Sequence, residues 1–138
     1  MKRISLLLFL FTILSVTACA QRIENGSRST IGYISSSGTV ENGSRSTIGY
    51  IHSDGLVENG SGSTIGYLNS DGRVENGSRS TIGYISDSGT VENGSRSTIG
   101  YVNSNGSVED GSRNTIGYAE GDDPRHAALF FFFFFRDK

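Results

Sequence analysis

Cysteine, proline and clustered positive charge are scarce in this sequence. Its 138 residues include one cysteine, one proline and no tryptophan. The single cysteine, Cys19, excludes both a disulfide within the chain and a cysteine-rich zinc site. Twelve Lys and Arg residues stand against 14 acidic ones and form no cluster. The chain thus lacks the basic patch that binds nucleic acids or anionic membrane surfaces, and we expect no nucleic acid among its partners.

The N-terminus has the features of a signal peptide. Basic residues 2–3 precede an apolar run over residues 4–16, which is long enough for a leader but too short to span a bilayer comfortably. A small-x-small site at residues 18–20 predicts cleavage before Gln21. Alternatively, Val-Thr-Ala followed by Cys19 resembles a bacterial lipobox, in which Cys19 would be lipidated. Both alternatives predict export to the periplasm, the outer membrane or the cell exterior, with membrane association only through a lipid anchor.

Abundant glycine reflects a repeat of 17 residues, V-E-N-G-S-R-S-T-I-G-Y-I-x-S-x-G-x. Repetition at a fixed period indicates a repeat architecture and takes precedence over local motifs. The sequence therefore divides into a signal peptide (1–20), six β-hairpin repeats (21–119) and an aromatic C-terminal tail packing on the repeats (120–138). The six copies begin at Ile23, Val40, Val57, Val74, Val91 and Val108.

Each repeat predicts two short antiparallel strands. One is T-I-G-Y-I, in which Ile48 and Tyr50 alternate as on one face of a strand, and the other is x-V-E, such as residues 39–41. The Asn-Gly pair at 42–43 predicts a type I′ turn with positive φ at both residues. The segment 52–55 predicts a four-residue loop with glycine in the left-handed position.

Such repeats suit an all-β closed pseudo-symmetric wheel or, as the alternative, a β-solenoid. A solenoid would stack identical glutamates about 4.8 Å apart, and like charges placed opposite each other are destabilising. A ladder of the repeated asparagines would instead favour the solenoid. Mid-strand glycines predict a crowded axis, and closure removes exposed strand edges, so the wheel is favoured. These glycines are Gly32, Gly49, Gly66, Gly83, Gly100 and Gly117.

The tyrosines are the candidate ligand-binding residues, since aromatic rings can stack on sugars. The other interpretation, which the sequence favours, makes them part of the core, because Tyr alternates with Ile on one strand face. They are Tyr33, Tyr50, Tyr67, Tyr84, Tyr101 and Tyr118. Glutamate and arginine stand four residues apart across the turn of every repeat except the third, where Gly62 replaces the arginine. They predict exposed ion pairs within the hairpin or, as the alternative, a polar rim that binds a cation or a sugar.

The sequence contains no residue pattern typical of a catalytic site or of a metal-binding site. His52 and His126 have no second ligand at metal-site spacing, and near-identical repeats offer no asymmetric group of catalytic residues. We therefore predict a non-enzymatic protein without cofactor or metal, serving as a structural or interaction module of the cell envelope. The alternative is a carbohydrate-binding module, and the candidate partners are a cell-surface glycan or another envelope protein.

Six consecutive phenylalanines, residues 130–135, mark the tail. Such a run would aggregate if fully exposed, and the charged residues 136–138 protect it. The sequence predicts a strand or short helix that packs across the repeats, over the axis of the wheel. A membrane-inserting or partner-docking tail is the alternative, although the segment is too short to span a bilayer as a helix.

The repeat and tail together resemble a known family. The motifs are the T-I-G-Y-I-x-S-D-G-x-V-E-N units, then Gly117-Tyr118-Ala119, Asp123-Pro124-Arg125, Ala127-Ala128 and the phenylalanine run. They resemble the β-flower proteins of Bacteroidetes, with the four- and five-fold families nearest, over essentially the whole mature chain. The resemblance implies a pseudo-symmetric arrangement of β-hairpins on an exported protein. The chain has five complete T-I-G-Y-I/x-V-E hairpins with a lone strand at each end. Those strands either form a sixth hairpin or lie outside a five-fold wheel.

Overall fold

Twelve short strands and two short helical segments make up the protein in the computed structural model, which describes residues 21–121 and 123–137. The predicted leader and Cys19 lie outside the described residues. The strands are β1 (Gln21–Asn25), β2 (Thr30–Ile34), β3 (Thr39–Asn42), β4 (Thr47–Ile51), β5 (Leu56–Asn59), β6 (Thr64–Leu68), β7 (Arg73–Asn76), β8 (Thr81–Ile85), β9 (Thr90–Asn93), β10 (Thr98–Val102), β11 (Ser107–Asp110) and β12 (Thr115–Ala119). An α-helix, α1 (Pro124–Ala128), runs into a π-helix (Leu129–Phe134).

The strands form one antiparallel meander that closes on itself as a barrel. Closure occurs where β1 pairs with β12, with Ile23 opposite Ala119 and Glu24 opposite Tyr118. The end strands therefore pair with each other, and the wheel has six units. The prediction of an all-β closed wheel is confirmed, and the solenoid alternative is wrong. A short-stranded sheet gains from closure because no strand edge is left unpaired.

A β-bulge in each T-I-G-Y-I strand changes which residues face the core. In the pairing of β4 with β3, the register passes from Thr47 to Gly49 and skips Ile48. A bulge sets two residues opposite one and interrupts strict alternation. Ile48 consequently packs against the core, whereas Tyr50 is half-buried and lies outside the core cluster. The predictions that these two residues share one face and that the tyrosines form the core are therefore wrong.

The Asn-Gly turns also differ from the predicted type I′ geometry. The loop is three residues long, since the Asn42 N–H donates to the Ser46 carbonyl at 2.9 Å, and positive φ (70°) falls at Arg45. The Asn42 Oδ1 accepts hydrogen bonds from the backbone N–H groups of Ser44 and Ser46, both at 3.0 Å. Asparagine thus shapes this turn through its side chain rather than by adopting a left-handed backbone.

The inner face of the barrel is lined by the aliphatic residue of each x-V-E strand. These side chains are fully buried, and the residue after each tyrosine adds a second layer, for example Ile51 at 3% exposure. Burial of residues of this size is the main stabilising contribution of the repeat, at about 1.5–3 kcal/mol each. The fully buried set is Ile23, Val40, Val57, Val74, Val91 and Val108.

The bore of the barrel is filled by the phenylalanine run. Helix α1 begins at Pro124, where the Asp123 Oδ1 caps it by accepting from the Arg125 N–H at 3.0 Å. The chain then enters the bore, where each phenylalanine ring faces the mid-strand glycine of a different repeat. Successive phenylalanines meet successive repeats around the ring: Phe130 faces Gly32, Phe131 Gly117, Phe132 Gly100, Phe133 Gly83, Phe134 Gly66 and Phe135 Gly49.

The π-helical winding suits this arrangement. An α-helix turns about 100° per residue, whereas six repeats around one axis are spaced by about 60°. The wider i→i+5 ring of a π-helix turns less per residue, which brings consecutive side chains closer to the spacing of the repeats. The rings of Phe130 and Phe135, first and last in the run, lie 6.3 Å apart between centroids, so the rings come full circle.

Glycine is required wherever a phenylalanine ring meets the sheet. A Cβ added at Gly32 would lie 2.7 Å from the Phe130 Cζ and 2.8 Å from the Glu41 carbonyl oxygen. The ring therefore occupies the space in which a side chain would stand. The sequence predicted close approach of a backbone at these glycines, and the structure shows an aromatic ring there as well.

We expect Phe130→Ala to destabilise the protein by about 3–5 kcal/mol, since it removes a fully buried ring and leaves a cavity in the bore. Urea unfolding of the processed chain measures the loss. The matched variant Phe130→Leu fills most of the volume and should lose less. A change below about 1 kcal/mol for the alanine variant would contradict burial of this ring in the core.

We expect Gly83→Ala to cost about 1–3 kcal/mol, because its Cβ would overlap the Phe133 ring and the neighbouring backbone. That Cβ would lie 2.6 Å from the Glu92 carbonyl oxygen. The control is Gly94→Ala in an adjoining turn, where the nearest atom, the Thr81 carbonyl oxygen, is 3.2 Å away. Equal thermal midpoints for the two variants would refute a special need for glycine in mid-strand.

Candidate functional site

The outside of the barrel carries a repeated group of tyrosine, glutamate and arginine. Tyr33 lies directly opposite Glu41 on the next strand. Arg45, four residues after Glu41, places its guanidinium carbon 3.6 Å from the centroid of the Tyr33 ring and its Nη1 2.9 Å from the Glu41 Oε1. We call such a group of three residues an outer facet.

Five outer facets are complete. Their guanidinium-to-ring distances are 3.5–3.6 Å, and their Arg–Glu distances are 2.7–3.1 Å. The fifth is built from both ends of the chain. The complete facets are Tyr33/Glu41/Arg45, Tyr67/Glu75/Arg79, Tyr84/Glu92/Arg96, Tyr101/Glu109/Arg113 and Tyr118/Glu24/Arg28.

The predicted ion pairs within the hairpins are confirmed, but the stacking of arginine on tyrosine was not predicted. Stacking joins the arginine of one repeat to the tyrosine of the repeat before it, so it follows only from the register between strands. A guanidinium group over the face of a tyrosine ring is stabilised by cation–π attraction. The tyrosines proposed as a ligand surface therefore lie on the outer face, half-buried, and five of the six carry an arginine over the ring.

These arginines hold an uncommon backbone conformation. Their φ values are 69–72°, in the left-handed region that non-glycine residues rarely adopt. Such strain persists where surrounding contacts fix the residue, and here the contacts are the glutamate and the tyrosine. In the third repeat the same turn position is Gly62, with φ 84°, which relieves the strain but removes both contacts.

The sixth facet is consequently open. Tyr50 lies opposite Glu58 as in the other facets, but Gly62 provides no guanidinium. Glu58 is held instead by His52, whose Nε2 is 2.8 Å from the Glu58 Oε1. The His52 ring also stacks on the Tyr50 ring at an offset, with 6.4 Å between the centroids and 30° between the ring planes.

Ion pairing and backbone hydrogen bonds stabilise the charged form of three carboxylates, Glu75, Glu109 and Asp110. A hydrogen bond from Arg79 lowers the pKa of Glu75, with a smaller contribution from Asn69. Arg113 lowers the pKa of Glu109 in the same way. These carboxylates therefore already accept hydrogen bonds from other side chains of the same molecule.

The third of these carboxylates belongs to a turn. In the last repeat Asp110 replaces the turn asparagine, and the backbone N–H of Asn114 is the main cause of its lowered pKa. Its Oδ1 accepts from the Ser112 and Asn114 N–H groups, both at 2.9 Å. The aspartate thus performs the same turn-forming role as the asparagine of the other repeats.

The two histidines, distant in sequence, line one groove beside α1. The groove has a volume of about 440 Å³. His126 lies 3.3 Å from Asp123 through its Nε2, and burial lowers the pKa of its imidazole, while His52 is bonded to Glu58. Across residues 21–121 and 123–137, no group of three His, Cys, Asp or Glu side chains is placed to hold a metal ion.

The molecule is a closed wheel of six β-hairpins whose bore is filled by the phenylalanine run. Its repeated groups of tyrosine, glutamate and arginine lie on the outer surface. A family model described as "5-fold beta-flower protein" matches residues 20–135. The chain therefore belongs to the 5-fold beta-flower family, which confirms the resemblance of its motifs, although this member closes six units. No curated protein and no solved structure matches the chain. Within the described part of the chain, no helix has the length and apolar character needed to cross a membrane.

We expect stability to fall in two steps as the pH is lowered. Burial depresses the pKa of folded His126, so its contribution is present above the ordinary histidine pKa of about 6.5 and is lost as pH falls towards the folded value. Glu75, Glu109 and Asp110 also have lowered folded pKa values. Their contribution is present above about pH 4 and lost as pH falls through those values.

Urea midpoints measured between neutral pH and about pH 3 test both steps. The variant His126→Gln should remove the upper step and leave the lower one. A midpoint that stays constant over the whole range would contradict the account.

Proposed function

We propose that this protein is an exported, non-enzymatic interaction module of the cell envelope that works through its outer surface. The observation that carries the proposal is the filled bore. Barrels that hold a small ligand do so in their interior, but here Phe130, Phe131 and Phe135 occupy that space at 1–4% exposure. A partner must therefore bind at the rim of the barrel, at the loops or at the outer facets.

The uniformity of the repeats supports a binding role over a catalytic one. Catalysis requires different groups converging on a reacting atom, and five outer facets repeat the same three residues in the same geometry. Repetition of one surface around an axis instead suits contact with a partner at several equivalent points, where linked weak contacts gain avidity.

Export is the second part of the proposal and rests on the leader. The basic residues 2–3, the apolar run 4–16 and the small residues 18–20 form the pattern of a signal peptide. Strand β1 begins at Gln21, so cleavage before Gln21 would leave the first strand intact. Lipidation at Cys19 would leave only Ala20 between the lipidated residue and the first strand.

Carbohydrate binding is the second candidate, and Tyr50 is the tyrosine that favours it. Sugar stacking needs an accessible ring face, and arginines cover the rings of the five complete facets at 3.5–3.6 Å. Polysaccharide pull-down by the wild type that is lost in Tyr50→Ala would support this candidate. Equal loss in Tyr67→Ala, whose ring is covered, would speak against stacking as the cause.

We expect the full chain expressed in a bacterium to be recovered from the envelope or the medium with a processed N-terminus. Mass spectrometry distinguishes a chain beginning at Gln21 from one beginning at lipidated Cys19. Globomycin and Cys19→Ser should block processing only if the lipid form is made. Recovery from the cytoplasm with residues 1–20 still attached would refute export.

A further inference from the structure

Five outer facets show how this fold holds a guanidinium group. In each of them a planar guanidinium lies 3.5–3.6 Å from the centroid of a tyrosine ring and 2.7–3.1 Å from a glutamate oxygen. Arginine suits such a place because its flat group stacks on aromatic faces while its N–H donors reach a carboxylate. The Tyr–Glu pair is thus a guanidinium acceptor that the chain fills five times with its own arginines.

The sixth facet keeps the acceptor and lacks the arginine. Tyr50 is opposite Glu58, in the same register as Tyr33 opposite Glu41. At Gly62, where the arginine would start, an added Cβ would meet no heavy atom within 4 Å. The space directly around this turn position is therefore free. No arginine of the described residues lies over the Tyr50 ring, whose aromatic neighbour is the offset ring of His52.

The contact with His52 leaves room for a further donor at Glu58. His52 bonds one carboxylate oxygen, Oε1, and an ionised carboxylate accepts several hydrogen bonds through both oxygens. Both side chains are partly exposed, at 45% for His52 and 21% for Glu58. With His52 in contact, Glu58 keeps an exposure within the range of the facet glutamates that receive a guanidinium, which runs from 6% to 26%.

We propose that the open facet, formed by Tyr50, Glu58 and the space above Gly62, binds the guanidinium of an arginine side chain supplied by a partner protein. The arginine takes the place that Arg45 holds over Tyr33, with its flat face on the ring and a donor on the carboxylate. The open facet makes one sector of the wheel different from the other five and so gives the ring a defined docking point. That a partner protein supplies the arginine rests on the proposed function. That the facet binds a guanidinium group rests on its geometry alone.

The test is a titration of the processed protein with N-acetyl-arginine methylamide, followed by amide and aromatic NMR shifts. We expect saturable shifts at Tyr50, Glu58 and Gly62 with a dissociation constant in the millimolar range, as suits one exposed side chain. N-acetyl-lysine methylamide should bind at least about five-fold more weakly, because an ammonium group cannot stack as a plane.

Two variants provide matched controls at the turn position. Gly62→Arg supplies the missing guanidinium internally and should abolish the shifts. Arg45→Gly opens a second facet and should add saturable shifts at Tyr33 while leaving those at Tyr50. Glycine is favoured at this left-handed position, so the second variant should keep the fold, which circular dichroism verifies.

Five results would overturn the proposal. Four concern the facet: no saturable shift at probe concentrations up to about 50 mM, shifts that persist in Gly62→Arg, equal binding of the lysine probe, and binding of methyl glycosides at Tyr50 in place of arginine. The fifth concerns the source of the arginine. Free L-arginine separates the possible sources of the ligand. A several-fold preference for it over the capped form would indicate a small molecule and contradict a partner's side chain. Because none of these measurements involves localisation, their failure is distinguishable from failure of export.

Discussion

The contact between a phenylalanine ring and a mid-strand glycine is the constraint on which this structure depends. A strand of four or five residues cannot stand alone, and six hairpins closed into a ring leave a bore that their own side chains do not fill. The phenylalanines fill it from within, one for each repeat, and the glycines provide the space. Aliphatic residues above and below this layer complete a single continuous core.

This division of roles explains the character of the outer surface. Since the core is completed by the tail, tyrosine is not needed inside and can lie outside with glutamate and arginine. There the turn geometry matters, because in five of the six turns the left-handed residue is an arginine whose side chain lies over the tyrosine of the neighbouring repeat. A single replacement at that position, Gly62, changes one facet without disturbing the barrel.

Much of the fold follows from the sequence, because periodicity reports which residues have equivalent surroundings. The 17-residue period predicts two strands per unit, and the like-charge glutamates together with the mid-strand glycines favour a closed wheel. The equal numbers of phenylalanines and repeats were visible too, but the pairing of Phe130 with Gly32 depends on the winding of the tail about the axis. Periodicity in one unit carries no information about that winding.

Two predictions from the sequence were wrong, and each error has a local structural cause. Type I′ geometry at residues 42–43 was wrong since the Asn42 side chain forms the turn through its Oδ1. Tyrosines were expected in the core because Ile48 and Tyr50 alternate, and the bulge at Ile48 cancels that alternation. The candidate site at Tyr50 depends on the register between strands and on the conformation at Gly62. Both arise only when neighbouring repeats are paired.

The central claim is that the barrel requires the aromatic run in its bore. The most direct test compares urea unfolding of the processed chain with that of the same chain ending at Ala128. The account predicts that the shortened chain loses its cooperative transition and binds a hydrophobic dye. An unchanged urea midpoint and slope in the shortened chain would show that the ring of hairpins closes and packs without the phenylalanine run. That result would contradict the account.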